Sequence, residues 1–154
     1  MSWRRCKVTD LSRSLRVDWV IPCRYVEGNN GLGTIVGAGI DTLTLPTLPN
    51  PVQFLMAVRL VGLPDNAQHT VTMAVDSPSM VQASEPMTSP PFLFPRPPGL
   101  ADGWEGGILM PMGCQFLATE EGPYMVTVTV DQASSKSVPM RIVIGQAVPF
   151  GTPT

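Results

Sequence analysis

The chain has little of what most catalytic or metal centres require. It holds one histidine, His69, in 154 residues, and its three cysteines, Cys6, Cys23 and Cys114, are scattered with no C-x-x-C pair. A structural zinc site takes four ligands, usually in closely spaced pairs, so no metal and no cofactor is expected. Charged residues make up only 14% of the chain and aromatics 6%. No apolar run approaches the ~18 residues of a membrane-spanning helix, and no segment repeats its apolar residues at a helical period. The run Gly31-Leu32-Gly33-Thr34-Ile35-Val36-Gly37-Ala38-Gly39 misses the dinucleotide pattern: Val36 stands where the third glycine belongs, and the run reads as strand rather than as a turn opening a helix. None of Ser77, Ser79, Ser84 and Ser89 lies in G-x-S-x-G. A general base needs an orienting partner; Asp65 is near His69 in sequence but falls in the preceding turn. His69 is therefore expected to be a partly exposed structural residue, and no enzyme is expected.

What is present is alternation. Tyr124-Met125-Val126-Thr127-Val128-Thr129-Val130 has period two, the pattern of a half-buried strand, with Val126, Val128 and Val130 facing the core. Val71, Met73 and Val75 share one face of Gln68–Asp76, and His69 has their parity. Further strands are read at Val17–Val26, Leu32–Ile40, Val52–Val61, Ile108–Ala118 and Val138–Ile144, with short ones at Leu43–Leu45 and Ser79–Ala83. Val52–Val61 is apolar on both faces and suits a central position. Pro22 places the first strand at an edge or a bulge. Glu27–Gly31 is a hairpin signal, and Gly33, Gly37 and Gly39 signal a bulge or a close backbone approach. Pro111 interrupts its strand. About eight short strands with no helix predict an all-β fold: a single antiparallel β-sandwich, jelly-roll or immunoglobulin-like, with a barrel as the alternative.

Charge is unevenly spread. Arg4, Arg5, Lys7, Arg13 and Arg16 are half of the ten Lys and Arg residues, with Asp10 the one acid among them; the remainder holds five basic and eleven acidic residues. Residues 1–16 thus read as a basic leader outside the core, 17–146 as the domain and 147–154 as a Pro/Gly tail. The leader is no secretory signal, because no apolar stretch follows its charges. It could touch nucleic acid, a membrane or an acidic partner; the acidic body disfavours nucleic acid, and no membrane partner is expected of the domain. Cys23 and Cys114 fall in strand-like runs, where a free thiol packs as a small hydrophobe; a Cys23–Cys114 disulfide is the alternative. Free thiols suit a cytoplasmic setting, or a virion if the chain is phage-encoded.

Residues 86–98 hold six prolines in thirteen, too dense for helix or ladder. With Gly99, Gly103, Gly106 and Gly107 they predict an extended loop of some 20 residues, a length that is often functional. Trp104 on this loop is either an aromatic anchor for a partner or sugar or a cap on the open end of the core. Trp104, Pro97, Pro98, Phe94 and Met87 are the candidate binding residues. Met80, Met110 and Met112 could add an adaptable apolar surface. Carboxylate pairs at Glu120-Glu121 and Asp102…Glu105 are weak candidates for calcium or glycosidase chemistry.

A resemblance supports the architecture. The opening Cys23-Arg24-Tyr25-Val26-Glu27, the Gly-rich second strand ending Gly39-Ile40-Asp41, the Leu-Pro connection, Arg96-Pro97-Pro98-Gly99 and the closing Gly122-Pro123-Tyr124 with Val138-Pro139-Met140-Arg141-Ile142-Val143 resemble a family of small bacterial β-sandwich domains, actinobacterial in type and without an assigned activity. The likeness spans residues 17–145. It implies a β-sandwich that begins near residue 17, and no catalytic residue. The expectation is a non-enzymatic structural or protein-binding module that associates with a protein partner or itself, such as a subunit of a larger assembly, phage capsid and tail accessory proteins among them. A small-molecule or carbohydrate-binding domain is the alternative.

Overall fold

A computed structural model describes residues 13–29 and 32–146. The fold is all-β: β1 (Arg16–Cys23), β2 (Tyr25–Asn29), β3 (Leu32–Val36), β4 (Thr42–Leu45), β5 (Asn50–Gly62), β6 (Gln68–His69), β7 (Val71–Asp76), β8 (Met87–Thr88), β9 (Phe92–Leu93), β10 (Gly106–Ala118), β11 (Gly122–Val130) and β12 (Ser134–Ile144). Two sheets form the sandwich, in the orders β1-β5-β10 and β4-β12-β11-β7-β8; β2-β3 and β6-β9 are separate two-stranded ladders. The pairs are antiparallel except β12 with β4, which is parallel.

Alternation explains the core. Val52, Phe54, Met56, Val58 and Leu60 of β5 face Val71, Met73 and Val75 of β7 and Tyr124, Val126, Val128 and Val130 of β11 in one cluster. Each fully buried valine contributes roughly 1.5–3 kcal/mol. Thr127 points the other way, and its Oγ1 lies 2.8 Å from Ser137 Oγ. Tyr124 closes the β10–β11 turn. Its ring stacks on Phe116 with centroids 4.9 Å apart. Its hydroxyl accepts from the Thr119 and Glu120 N–H groups at 3.0 and 3.2 Å and donates to the Glu120 carbonyl at 3.2 Å.

The middle of the opposite face of β5, at Leu55 and Ala57, is covered as well, which is why both parities of that strand are apolar there. Cys23, Val26 and Ala57, with Trp19, Ile21, Ile35, Leu55 and Leu109 around them, form a second cluster under the β2–β3 hairpin. Gly33 allows the hairpin to close down: a Cβ there would lie 2.2 Å from Leu109 Cδ2. The two thiols are buried and free, and they belong to clusters on opposite faces of the sheet.

Several expectations change. Leu15 is buried in the main core, the Leu63 N–H donates to the Arg13 carbonyl at 2.9 Å, and Arg16 opens β1 opposite Val61. Residues 13–16 are therefore part of the fold; a charge block hid one buried leucine. The rest of the basic leader, with Cys6 and Leu11, and the tail from 147 lie outside the described residues. Val17–Val26 splits at Arg24 into β1 and β2, and Gln68–Asp76 splits at Thr70 into β6 and β7. Ser79–Ala83 makes only a bridge from Gln82 to Asp76. Pro111 does not break β10, because β10 is an edge strand and a proline whose nitrogen faces outward costs the ladder nothing.

Candidate functional site

The segment from Pro86 to Gly107 is more firmly held than its proline count suggests. Met87 and Thr88 pair with Met73 and Thr72, the Ser89 N–H donates to Val71 O at 2.8 Å, and Ser89 Oγ accepts from the Val71 N–H at 3.0 Å. Phe92 and Leu93 pair with His69 and Gln68. The expected ladder-free loop is thus corrected. Proline removes only its own donor, and Pro86, Pro90, Pro91 and Pro95 fall between the paired residues rather than on them.

Phe94 is fully buried in the core, and its carbonyl accepts from the Asp65 N–H at 3.1 Å. It roots the segment and offers no contact surface, which corrects its place among the binding residues. Beyond it the chain stands out. Pro97 and Pro98 are exposed. Tight turns follow, with Leu100 N–H donating to Pro97 O and Trp104 N–H to Ala101 O, each at 3.2 Å, and with Gly99 and Gly103 at φ 80° and 77°. Arg96 holds the tip from within, its Nε donating to Leu100 O at 2.8 Å and its Nη1 paired with Asp102. Arg13 donates to Gly103 O, and Arg16 grips Glu105 through two 2.9 Å bonds. On this braced tip Trp104 is 69% exposed; it does not cap the core.

Met87 belongs to a different wall. With Phe92, Pro90, Met110 and Met112 it lines an open, largely apolar depression of about 440 Å³ between β10 and the proline segment. A second depression, of about 480 Å³, lies further along β10 between Leu117 and the Ser77–Ala83 turn.

His69 differs from its expectation. It is buried, and both ring nitrogens meet carboxylates: Nε2 lies 2.8 Å from Asp65 Oδ1 and Nδ1 2.6 Å from Asp131 Oδ2. Asp131 Oδ1 also accepts from the Thr70 N–H at 3.0 Å, and Phe92 packs on the imidazole at 5.9 Å. Burial works to lower the His69 pKa, but the hydrogen bonds and charges of Asp131 and Asp65 outweigh it and leave the pKa raised. No ring nitrogen is open to take a proton from a nucleophile. Asp131 was not legible as a partner, since it lies 62 residues away in the β11–β12 turn.

The other candidate carboxylates are occupied by structural work. Glu120 accepts from the Ser79 hydroxyl at 2.7 Å and its N–H at 3.0 Å; the hydroxyl, then the N–H, hold its pKa down. Glu121 accepts from the Ile144 N–H at 2.6 Å. Glu120 and Glu121 therefore bind separate segments, and Asp102 and Glu105 each pair with their own arginine. Among the described residues no cluster of three or more His, Cys, Asp and Glu is placed to hold a metal, and no helix is long and apolar enough to cross a membrane. The run Leu32–Val36 of the glycine-rich stretch is a strand. Comparison with models of known protein families and with curated proteins finds no match.

Proposed function

We propose that this domain is a non-enzymatic association module, a protein-binding or structural subunit of a larger assembly of the phage-capsid or tail-accessory kind. Its contact surface is the tip carrying Pro97, Pro98 and Trp104. One observation carries the reading: a tryptophan 69% exposed on a tip braced by Arg13, Arg16 and Arg96 and rooted by buried Phe94. An aromatic held out by a pre-ordered segment loses little entropy on docking, and such residues dominate interface energies. The occupied ring nitrogens of His69 support the non-enzymatic part.

The test uses peptides selected from a random library against the intact chain. Trp104→Ala should weaken their binding by about 2 kcal/mol or more, roughly 30-fold, with an unchanged melting temperature. Equal binding by the variant, or a matching loss of stability, refutes the reading. The apolar depression of Met87, Phe92, Met110 and Met112 supports a second reading, a small-molecule or carbohydrate site. That reading predicts fragment or oligosaccharide binding that Met112→Ala abolishes and Trp104→Ala leaves alone.

A further inference from the structure

The sheet edges are not alike. The β8 edge is two residues long with Pro86, Pro90 and Pro91 around it, β4 is four residues long, and the β1 edge carries Arg16, Asp18 and Pro22. Short, charged or proline-bearing strands are the usual protections against edge-to-edge pairing. β10 is thirteen residues long and holds no charged residue from Gly106 to Ala118. Pro111, and Pro51 opposite Leu117, have no N–H for the β5–β10 ladder. The odd-numbered residues of β10 therefore turn their N–H and C=O outward. At Leu109 the hairpin covers that side, its carbonyl lying 3.3 Å from where a Cβ on Gly28 would stand. From Gly113 to Leu117 no described residue hydrogen-bonds to the outward groups.

We propose that this edge pairs with the same edge of a second copy, antiparallel about a two-fold axis at Gln115, joining two three-stranded sheets into one of six strands. The proposal rests on the reading of the domain as an association module, but it uses a different face and names the partner. Two features select this occupant and register. First, the pairs would be Gly113 with Leu117, Gln115 with Gln115 and Leu117 with Gly113, using every free donor and acceptor in the segment. The next pair outward sets Pro111, which has no N–H, against Thr119, whose N–H already donates to Tyr124; the two missing donors coincide, so the ladder ends with no N–H left unpaired. Second, Leu117 is 48% exposed, and it would lie over Gly113, where a Cβ would have no atom within 4 Å. The apolar side chain and the gap it needs are on the same strand, so two copies fill each other's gaps.

The test is sedimentation equilibrium of the intact chain, to about 100 μM because the contact is at the small end of specific interfaces. The wild type should dimerise. Gln115→Lys and Gln115→Glu, each facing itself across the axis, should each weaken the dimer at least about 10-fold, and an equimolar mixture of the two should recover it. Gly113→Val should also weaken it, because it fills the gap for Leu117, without lowering the melting temperature. Trp104→Ala should leave it intact. A wild type that stays monomeric overturns the proposal, as does a dimer indifferent to charge at Gln115 or a mixture that fails to recover. If Trp104→Ala dissolves the dimer while Gln115→Lys does not, the edge is wrong and the Trp104 tip is the self-association surface.

Discussion

The bridge from Asp65 through His69 to Asp131 makes the stability of this domain depend on pH in one direction. Only the imidazolium can donate from both ring nitrogens at once, so the two carboxylates at 2.6 and 2.8 Å favour the protonated ring. Its pKa is raised above the usual histidine value by Asp131 and Asp65 against the opposing effect of burial. The folded state therefore binds this proton more tightly than the unfolded chain. The stabilisation is complete below about pH 6.5, the unfolded value, and is lost as pH rises through the folded one, with a slope of at most about 1.4 kcal/mol per pH unit for one proton. The buried thiols act in the same direction but later. Desolvation pushes Cys114 up to about 12 and raises Cys23, so they cost stability only above the unfolded thiol value of about 8.5. A loss of stability that begins above about pH 6.5 and below the thiol range belongs to His69. Replacing the imidazole, as in His69→Phe, removes two charge-assisted hydrogen bonds, each ordinarily about 1.5–3 kcal/mol. Asp65 and Asp131 are 47% and 35% exposed and regain water, which discounts the loss to about 2–3 kcal/mol at pH 6. Urea unfolding at pH 6, 7 and 8 measures both effects. The wild type should weaken across the series, and His69→Phe should start lower and stay flat. A wild type that is flat or strengthens with pH refutes the argument, as does an unchanged slope in the variant.

Three further outcomes follow from the packing. Val128→Asp should unfold the domain, since an unpaired buried carboxylate costs several kcal/mol and Val128 is fully buried; Thr127→Asp should fold, and circular dichroism separates the two. Tyr124→Phe keeps the stack on Phe116 but leaves two backbone N–H groups and one carbonyl of the β10–β11 turn without their partner; chemical denaturation should show a loss of about 1–3 kcal/mol, and no loss would mean the turn does not need its hydroxyl. Leu15→Ala should cost about 2–5 kcal/mol as a core truncation; a change below about 0.5 kcal/mol, the scale of a surface substitution, would return residues 13–16 to the leader.

Local periodicity carried the parts of this fold that depend on local facts. The inward faces of β7 and β11, the central place of β5 and the close approach at Gly33 all follow from which side chains alternate or are missing. What could not be read depends on contacts between distant segments. Asp131 looked like turn chemistry, and it is that, with φ 49°, yet it also reaches His69. Leu15 sat inside a block of charge, and only the end of β5 shows that it is covered. Phe94 and Trp104 share one proline-rich segment and one aromatic character; the sequence has no term that sends the first into the core and the second into solvent. Pro111 shows the difference most clearly. Within the chain it reads as a break in a strand, because a proline between two neighbours loses a ladder bond. On an edge it loses only an outward donor, so the strand runs through it. That same missing donor, set against the occupied N–H of Thr119, is what limits a second β10 to a single register.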